Sequence, residues 1–196
     1  VKIVLATSEA VPFAKTGGLA DVCGALPLAL AQLGHDVSVI MPAYRSAQRS
    51  GISIDPTGIE LSIPIGRKTV AGRLFQSRFP GSDVPVYLVH QADYYDRAEL
   101  YQQAGRDYPD NCERFVFFSR AVMEAVRLLE LDVDILHCND WQTGLVPAYH
   151  KLEYRGVPQL ERATSLITVH NLAFQGTFWH WDMLLTGLDW KYFNWH

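Results

Sequence analysis

Cysteine is scarce in this chain: Cys23, Cys112 and Cys138 are the only three in 196 residues, an odd set placed far apart. That spacing excludes a disulfide framework and fits a reducing compartment, with each thiol expected to serve as a small buried apolar residue. Positive charge is also short. Lysine and arginine total 17 against 21 acids, and the net charge of -4 leaves no basic footprint for nucleic acid or an anionic membrane surface. No apolar run approaches the roughly 18–20 residues that a spanning helix needs. The N-terminus lacks the basic-then-apolar layout of a signal peptide. The expectation from these absences is a cytoplasmic domain with neither nucleic-acid nor membrane partners.

Several catalytic signatures are missing too. There is no Walker loop, and the lysine of "KTGG" precedes its glycines rather than following them. No G-x-G-x-x-G occurs, and the second apolar run ends in "IMPAY" without a ribose-binding acid, which argues against a nicotinamide cofactor. A G-x-S-x-G elbow is absent, so a serine hydrolase has no nucleophile. His137 with Asp140, and His180 with Asp182, lack the further ligands a zinc site wants, so no metal is expected.

What is present is core material, at 48% hydrophobic residues, arranged in alternation. "KIVLATS" is β-branched and apolar, as a strand buried on both faces should be. Leu19, Val22, Cys23, Leu26, Leu30 and Leu33 then recur at helical spacing, and Gly34 supplies a stop. "HDVSVIMP" follows as a second strand, completing a βαβ unit with parallel strands. "IELSIPI" and "TVAGRLFQSRF" flank a turn at "GRK", predicting a hairpin, and Val84–His90 returns to a buried-strand pattern. A tyrosine-rich loop precedes a long helix with Phe115, Phe118, Ser119, Val122, Val126 and Leu129 facing inward. "DILHC" and "SLITVH" read as strands on either side of a helix started or interrupted at Pro147. The fold class is therefore α/β: a Rossmann-like, mostly parallel sheet with helices on both faces and a β-hairpin insertion.

In such sheets ligands sit beyond the carboxyl ends of the strands. Three segments end strands with unusual chemistry: "KTGGLAD", "HCNDWQTGL" and "HNLAFQG". Gly17 and Gly18 lack Cβ atoms, the helix they open points its positive end outward, and Lys15 adds a point charge suited to phosphate. The bland alternative is a glycine turn required only by strand-to-helix geometry, with Lys15 solvated. His170, Asn171 and Gln175 offer hydrogen bonds to sugar hydroxyls or a developing cation; the alternative is a histidine that satisfies its own loop. Asp140 either belongs to this cluster or simply caps the helix after it. "DVD" (Asp132–Asp134) mimics a metal-holding D-x-D but lies at the amino end of a strand, the wrong edge. The E-x7-E spacing of Glu153 and Glu161 is broken by Gly156 and Pro158. The aromatic closing stretch, "FWHWDMLLTGLDWKYFNWH", is expected to need more chain or a partner surface to bury its rings.

Taken in order along the chain, "SEAVPFAKTGGLADVCGALPLALAQLGHDVSVIMPAY", "YYDRAELYQQAGRDYPDNCERFVFFSRA", "DILHCNDWQTGLVPAY", "TVHNLAFQG" and "YFNWH" resemble the N-terminal domain of bacterial glycogen synthase and plant starch synthase, glycosyltransferase family 5. The resemblance implies a GT-B fold, two Rossmann-like domains facing each other across a cleft. Residues 1–196 would form the N-terminal, acceptor-side domain, with the nucleotide-binding domain outside this sequence. It implies glucose transfer from ADP-glucose or UDP-glucose to the non-reducing end of an α-1,4-glucan, with retention and with neither metal nor other cofactor. By the same resemblance Lys15 matches the lysine on the donor diphosphate, and Gly17 and Gly18 the loop against it. Asp21 matches an active-site acid, and His170 the histidine beside the transferred glucose. Asn171, Tyr95 and Asp140 match cleft positions near the donor sugar or acceptor chain. Cys138 and Asn139 stand where relatives often carry a small residue and histidine. The family's C-terminal domain supplies the base contacts, further cations and an essential glutamate, so this piece alone is expected to be inactive. A bacterial cytoplasm or a plant plastid stroma is the implied location. Two other readings are a non-catalytic glucan- or nucleotide-sugar-binding module, and another GT-B transferase with a different acceptor.

Overall fold

The computed structural model describes residues 1–194; Trp195 and His196, which close the "YFNWH" stretch, lie outside the described residues. The first strand, β1 (Lys2–Ala6), pairs in parallel with β2 (Asp36–Pro42) on one side and, on the other, with the sixth strand of the main sheet in chain order, β6 (Ile135–Asn139). β6 in turn carries β7 (Thr164–Thr168) at the edge, also parallel. On the far side β2 pairs in parallel with β5 (Pro85–His90), beyond which lies the predicted hairpin. Its strands, β3 (Asp55–Ile65) and β4 (Lys68–Arg78), are antiparallel to each other, and β4 is antiparallel to β5. The order is thus β3-β4-β5-β2-β1-β6-β7 in one seven-stranded sheet. Gly66, at φ +56°, takes the first central position of the two-residue hairpin turn, where a left-handed residue is required.

Ile3–Ala6 and Val37–Pro42 are buried at every position. Because successive side chains of a strand point to opposite faces, both faces of the sheet centre must be covered. Helix α1 (Gly18–Gln32) packs against β2, and α2 (Asn111–Leu128) against β2, β3 and β5. A shorter helix, α3 (Val146–Leu152), has Pro147 in its first turn and packs on α2, β6 and β7.

Two helical faces differ from the pattern expected. In α1 the buried stripe is Leu19, Ala20, Cys23, Gly24 and Pro27, while Val22 and Leu33 are 41% and 75% exposed. Small residues win because the loop after β1 crosses the helix closely. A Cβ on Gly24 would stand 2.4 Å from the Val11 side chain and 2.7 Å from its carbonyl oxygen, and the Val11 N–H donates to Ala20 O. Gly34, at φ +85°, ends the helix as expected, with the His35 N–H reaching back to Leu30 O. In α2 burial extends almost all round, Arg114 and Arg120 included. Fully buried Arg114 donates to Tyr94 O, Leu100 O and Asn111 Oδ1, tying the tyrosine-rich loop to the helix. Arg120 pairs with Glu153 at 2.8 Å.

All three thiols are free. Cys23 and Cys138 are buried as expected, but Cys112 is only half-buried. Asp132 and Asp134 both receive hydrogen bonds from Lys2, from its ammonium and its N–H respectively, which supports a role at the start of the strand rather than a metal site. Among the described residues no helix is long and apolar enough to cross a membrane. On β7 and in the aromatic segment after it, apolar side chains stand open: Leu166, Ile167, Leu172, Phe174, Trp179 and Trp181 are all at least 47% exposed.

Candidate functional site

β1, β6 and β7 are neighbours and run the same way, so their carboxyl ends bring the three chemistry-bearing segments to one edge. The register makes this concrete: Ala6 lies beside Cys138, and Asn139 beside Thr168.

At the β1 tip the chain runs through a loop into α1. Its organiser is Glu9, 3% exposed, which sequence reasoning did not single out. The Glu9 carboxylate accepts the Thr16 N–H, the Thr16 hydroxyl at 2.7 Å and the Gly17 N–H at 3.4 Å, and also the Tyr101 hydroxyl at 2.7 Å. An acid in the apolar stretch after β1, with no solvent to hold it, was the available signal. Two of the loop N–H groups expected to await an anion are therefore already taken. The helix start itself is different: Gly17 is its N-cap, and no side chain caps it. The N–H groups of its first turn are thus left without a side-chain cap at the positive end of the helix dipole.

Gly17 has φ -150° and ψ -162°, ordinary extended backbone, and Gly18 has no positive φ either. A Cβ at either position would meet no atom within 4 Å among the described residues. Neither glycine is therefore required by a positive φ or by a close contact. What they leave is open space beside an uncapped helix start. Lys15 lies on the rim, its ammonium 2.6 and 2.8 Å from the two oxygens of Asp21 in the first turn of α1. Both side chains are about half exposed, 51% and 57%, and an exposed pair of this kind contributes only about 0–1 kcal/mol, so Lys15 can exchange partners cheaply.

The tips of β6 and β7 interlock. His170 Nε2 lies 2.9 Å from Asn139 Oδ1, and the His170 N–H donates to Asp140 Oδ1 at 2.7 Å. Asp140 does not cap the helical turn after it. Its backbone sits at φ +58° and ψ -178°, a conformation almost confined to glycine that costs roughly 1–3 kcal/mol in other residues. His137 is turned away onto the Thr168 hydroxyl, 2.8 Å off, and burial, followed by the charge of His170, lowers its pKa from the ordinary value of 6.5. Asn171 is exposed, its Oδ1 accepting the Ala173 N–H in a local turn.

Tyr95 is not part of this edge. It is fully buried, donates its hydroxyl to Arg114 O and packs edge-on against Tyr44, so its expected cleft position is corrected to a core one. Burial raises its phenol pKa well above the ordinary range. A cavity of about 680 Å³ lies nearby, lined by Phe115, Trp141, Ile167, Phe178 and Met183, but neither Lys15 nor His170 borders it. Among the described residues no group of three or more histidine, cysteine or acidic side chains converges on a metal position.

A mostly parallel sheet with its polar groups gathered at adjoining strand ends is a Rossmann-like α/β architecture, the class that places ligands at the carboxyl edge. A solved structure described as the catalytic domain of starch synthase IV from Arabidopsis thaliana, bound to ADP and acarbose, has a TM-score of 0.86 to this chain at 29% identity, covering 97% of this chain and 38% of that one. More narrowly, the chain belongs to the starch synthase catalytic domain family, which it matches over residues 2–196. Glycogen synthase from Syntrophotalea carbinolica is 47% identical over 189 residues, and that from Rhodopirellula baltica 43% identical over 203. These alignments take in 96% and 99% of this chain but only 39% and 40% of the relatives, so the chain spans about two fifths of their length.

Proposed function

We propose that this chain is the acceptor-side domain of a glycogen synthase that moves glucose from ADP-glucose or UDP-glucose to the non-reducing end of an α-1,4-glucan with retention of configuration. The observation that carries it is the pair of glycines at positions 17 and 18, which the fold leaves without steric need beside an uncapped helix start. Space, uncapped N–H groups and a releasable lysine together suit a diphosphate. The names of the relatives, and the ADP bound to the solved starch synthase IV domain, support a nucleotide sugar as its source.

In a retaining transfer the donor bond ionises toward an oxocarbenium-like sugar. Charge must be neutralised at the departing diphosphate and supported at the anomeric carbon. Lys15 exchanges Asp21 for a phosphate oxygen and meets the first need together with the start of α1. His170, held by Asn139 and Asp140, stands at the sugar and meets the second through its ring and carbonyl dipole. Asn171 serves the sugar hydroxyls. No metal or other cofactor enters these steps. The nucleotide base and the remaining cations fall to a second domain, so residues 1–196 alone are expected to show no turnover.

Full-length protein with a glycogen primer, assayed in parallel with the two donors, tests this reading. Chain elongation from at least one donor is expected, and none from either refutes it. His170→Ala should cut turnover about 100-fold or more while leaving the melting temperature within a few degrees. A collapse in stability instead assigns His170 a structural role.

A further inference from the structure

We infer that Asn139 is a positioning residue that selects the tautomer of His170; the inference rests on the reading that His170 stands beside the transferred sugar. Asn139 ends β6 and is fully buried. Its Nδ2 lies 3.1 Å from Ala6 O and 3.2 Å from His137 O. Both of those atoms are carbonyl oxygens, which only accept, so the amide atom between them must be the nitrogen. A flipped amide would press its oxygen against two others. The amide oxygen is thereby directed at His170, 2.9 Å from Nε2. An amide oxygen cannot donate, so Nε2 must carry the hydrogen, and in the neutral ring Nδ1 is left bare.

The backbone of His170 is held just as firmly. Its N–H donates to Asp140 Oδ1, and Asp140 is itself kept in its glycine-like conformation by its own N–H bond to Thr168 O at 2.9 Å. The neighbouring titratable ring, His137, has its Nε2 engaged with Thr168 Oγ1 and does not compete for Asn139. Two consecutive residues therefore control both the site of attachment and the proton of the half-exposed imidazole. A neutral His170 presents Nδ1 to the substrate as an acceptor for a sugar hydroxyl. Asparagine does this without a titratable group of its own.

The test is nitrogen NMR of full-length protein labelled at histidine, with the His170 signals assigned by their loss in His170→Gln. At alkaline pH, where the ring is neutral, wild type should show a protonated Nε2 and a bare Nδ1. Asn139→Ala should give a mixture of tautomers and lower kcat by about 10–100-fold, the range for losing a partner that orients a functional histidine, with donor KM changed far less. A protonated Nδ1 in wild type overturns the inference, and this measurement stands even if Asn139→Ala does not fold. An Asn139→Ala protein with unaltered His170 tautomer and unaltered kcat overturns it equally. Glucose transfer accompanied by the wrong tautomer refutes the inference alone, whereas the right tautomer with no transfer from either donor refutes the functional reading on which it rests.

Discussion

Gly18→Ala sets the needs of the fold against those of a ligand at a single atom. Gly18 is the first residue of α1, has no positive φ, and offers a new Cβ no contact within 4 Å. Alanine there has nothing to displace, and it narrows the freedom of the unfolded backbone. A substitution of this type stabilises by about 0.4–1 kcal/mol. At about 2–4 °C per kcal/mol for a domain of this size, the melting temperature should rise by roughly 1–4 °C. The same methyl stands in the space where a diphosphate must approach the N–H groups at the helix start. Loss of one hydrogen bond to a charged group costs about 1.5–3 kcal/mol, which weakens binding roughly 10–150-fold. Stability and affinity should thus move in opposite directions in one variant. Scanning calorimetry and calorimetric titration with ADP, both on full-length protein, measure the two effects. A melting temperature that falls by several degrees would show that the fold requires this glycine after all. Unchanged ADP affinity would show that no phosphate comes near it.

Lys15→Ala should alter stability by less than about 1 kcal/mol, since only an exposed ion pair is lost, yet cost about 2–4 kcal/mol of transition-state stabilisation; steady-state kinetics with the preferred donor checks this, and unchanged kcat/KM removes Lys15 from the site. Asp140→Gly should relieve roughly 1–3 kcal/mol of backbone strain while losing a charge-assisted bond of similar size, so melting stays near wild type while turnover falls about 10-fold or more. A rate equal to wild type would deny Asp140 its hold on His170. Burial lowers the pKa of folded His137 below its ordinary value of 6.5, so as pH drops through that value the unfolded chain takes up a proton before the folded one does. Stability should decline on that side of the window, and His137→Gln should flatten the decline in urea titrations run across it.

Much of this architecture could be read from residue order. Strands buried on both faces announce themselves as apolar, β-branched runs, and glycine at positions 34 and 66 marks a helix end and a hairpin turn because both conformations are local. Parallel strands also oblige their carboxyl tips to share an edge, so "KTGG", "HCND" and "HNLAFQG" could be grouped before any contact was known. The inner face of α1 could not be read in the same way. Periodicity favoured the large residues Val22 and Leu33, whereas the close crossing at Val11 selected Ala20 and Gly24.

Side-chain partnerships between segments far apart in the chain were decided by tertiary structure alone. Glu9 reaching Thr16 and Tyr101, Asn139 reaching His170, and Asp140 abandoning a capping role to hold a backbone N–H all depend on which strand tips adjoin, to within a hydrogen-bond length. Tyr95 shows the same limit from the other side, since its motif match carries no information about the Tyr44 ring and Arg114 carbonyl that enclose it. Local sequence specifies backbone shape and which faces are apolar, because both arise from interactions among near neighbours. The orientation of a buried polar group is set by donors and acceptors brought together only when the whole sheet has assembled.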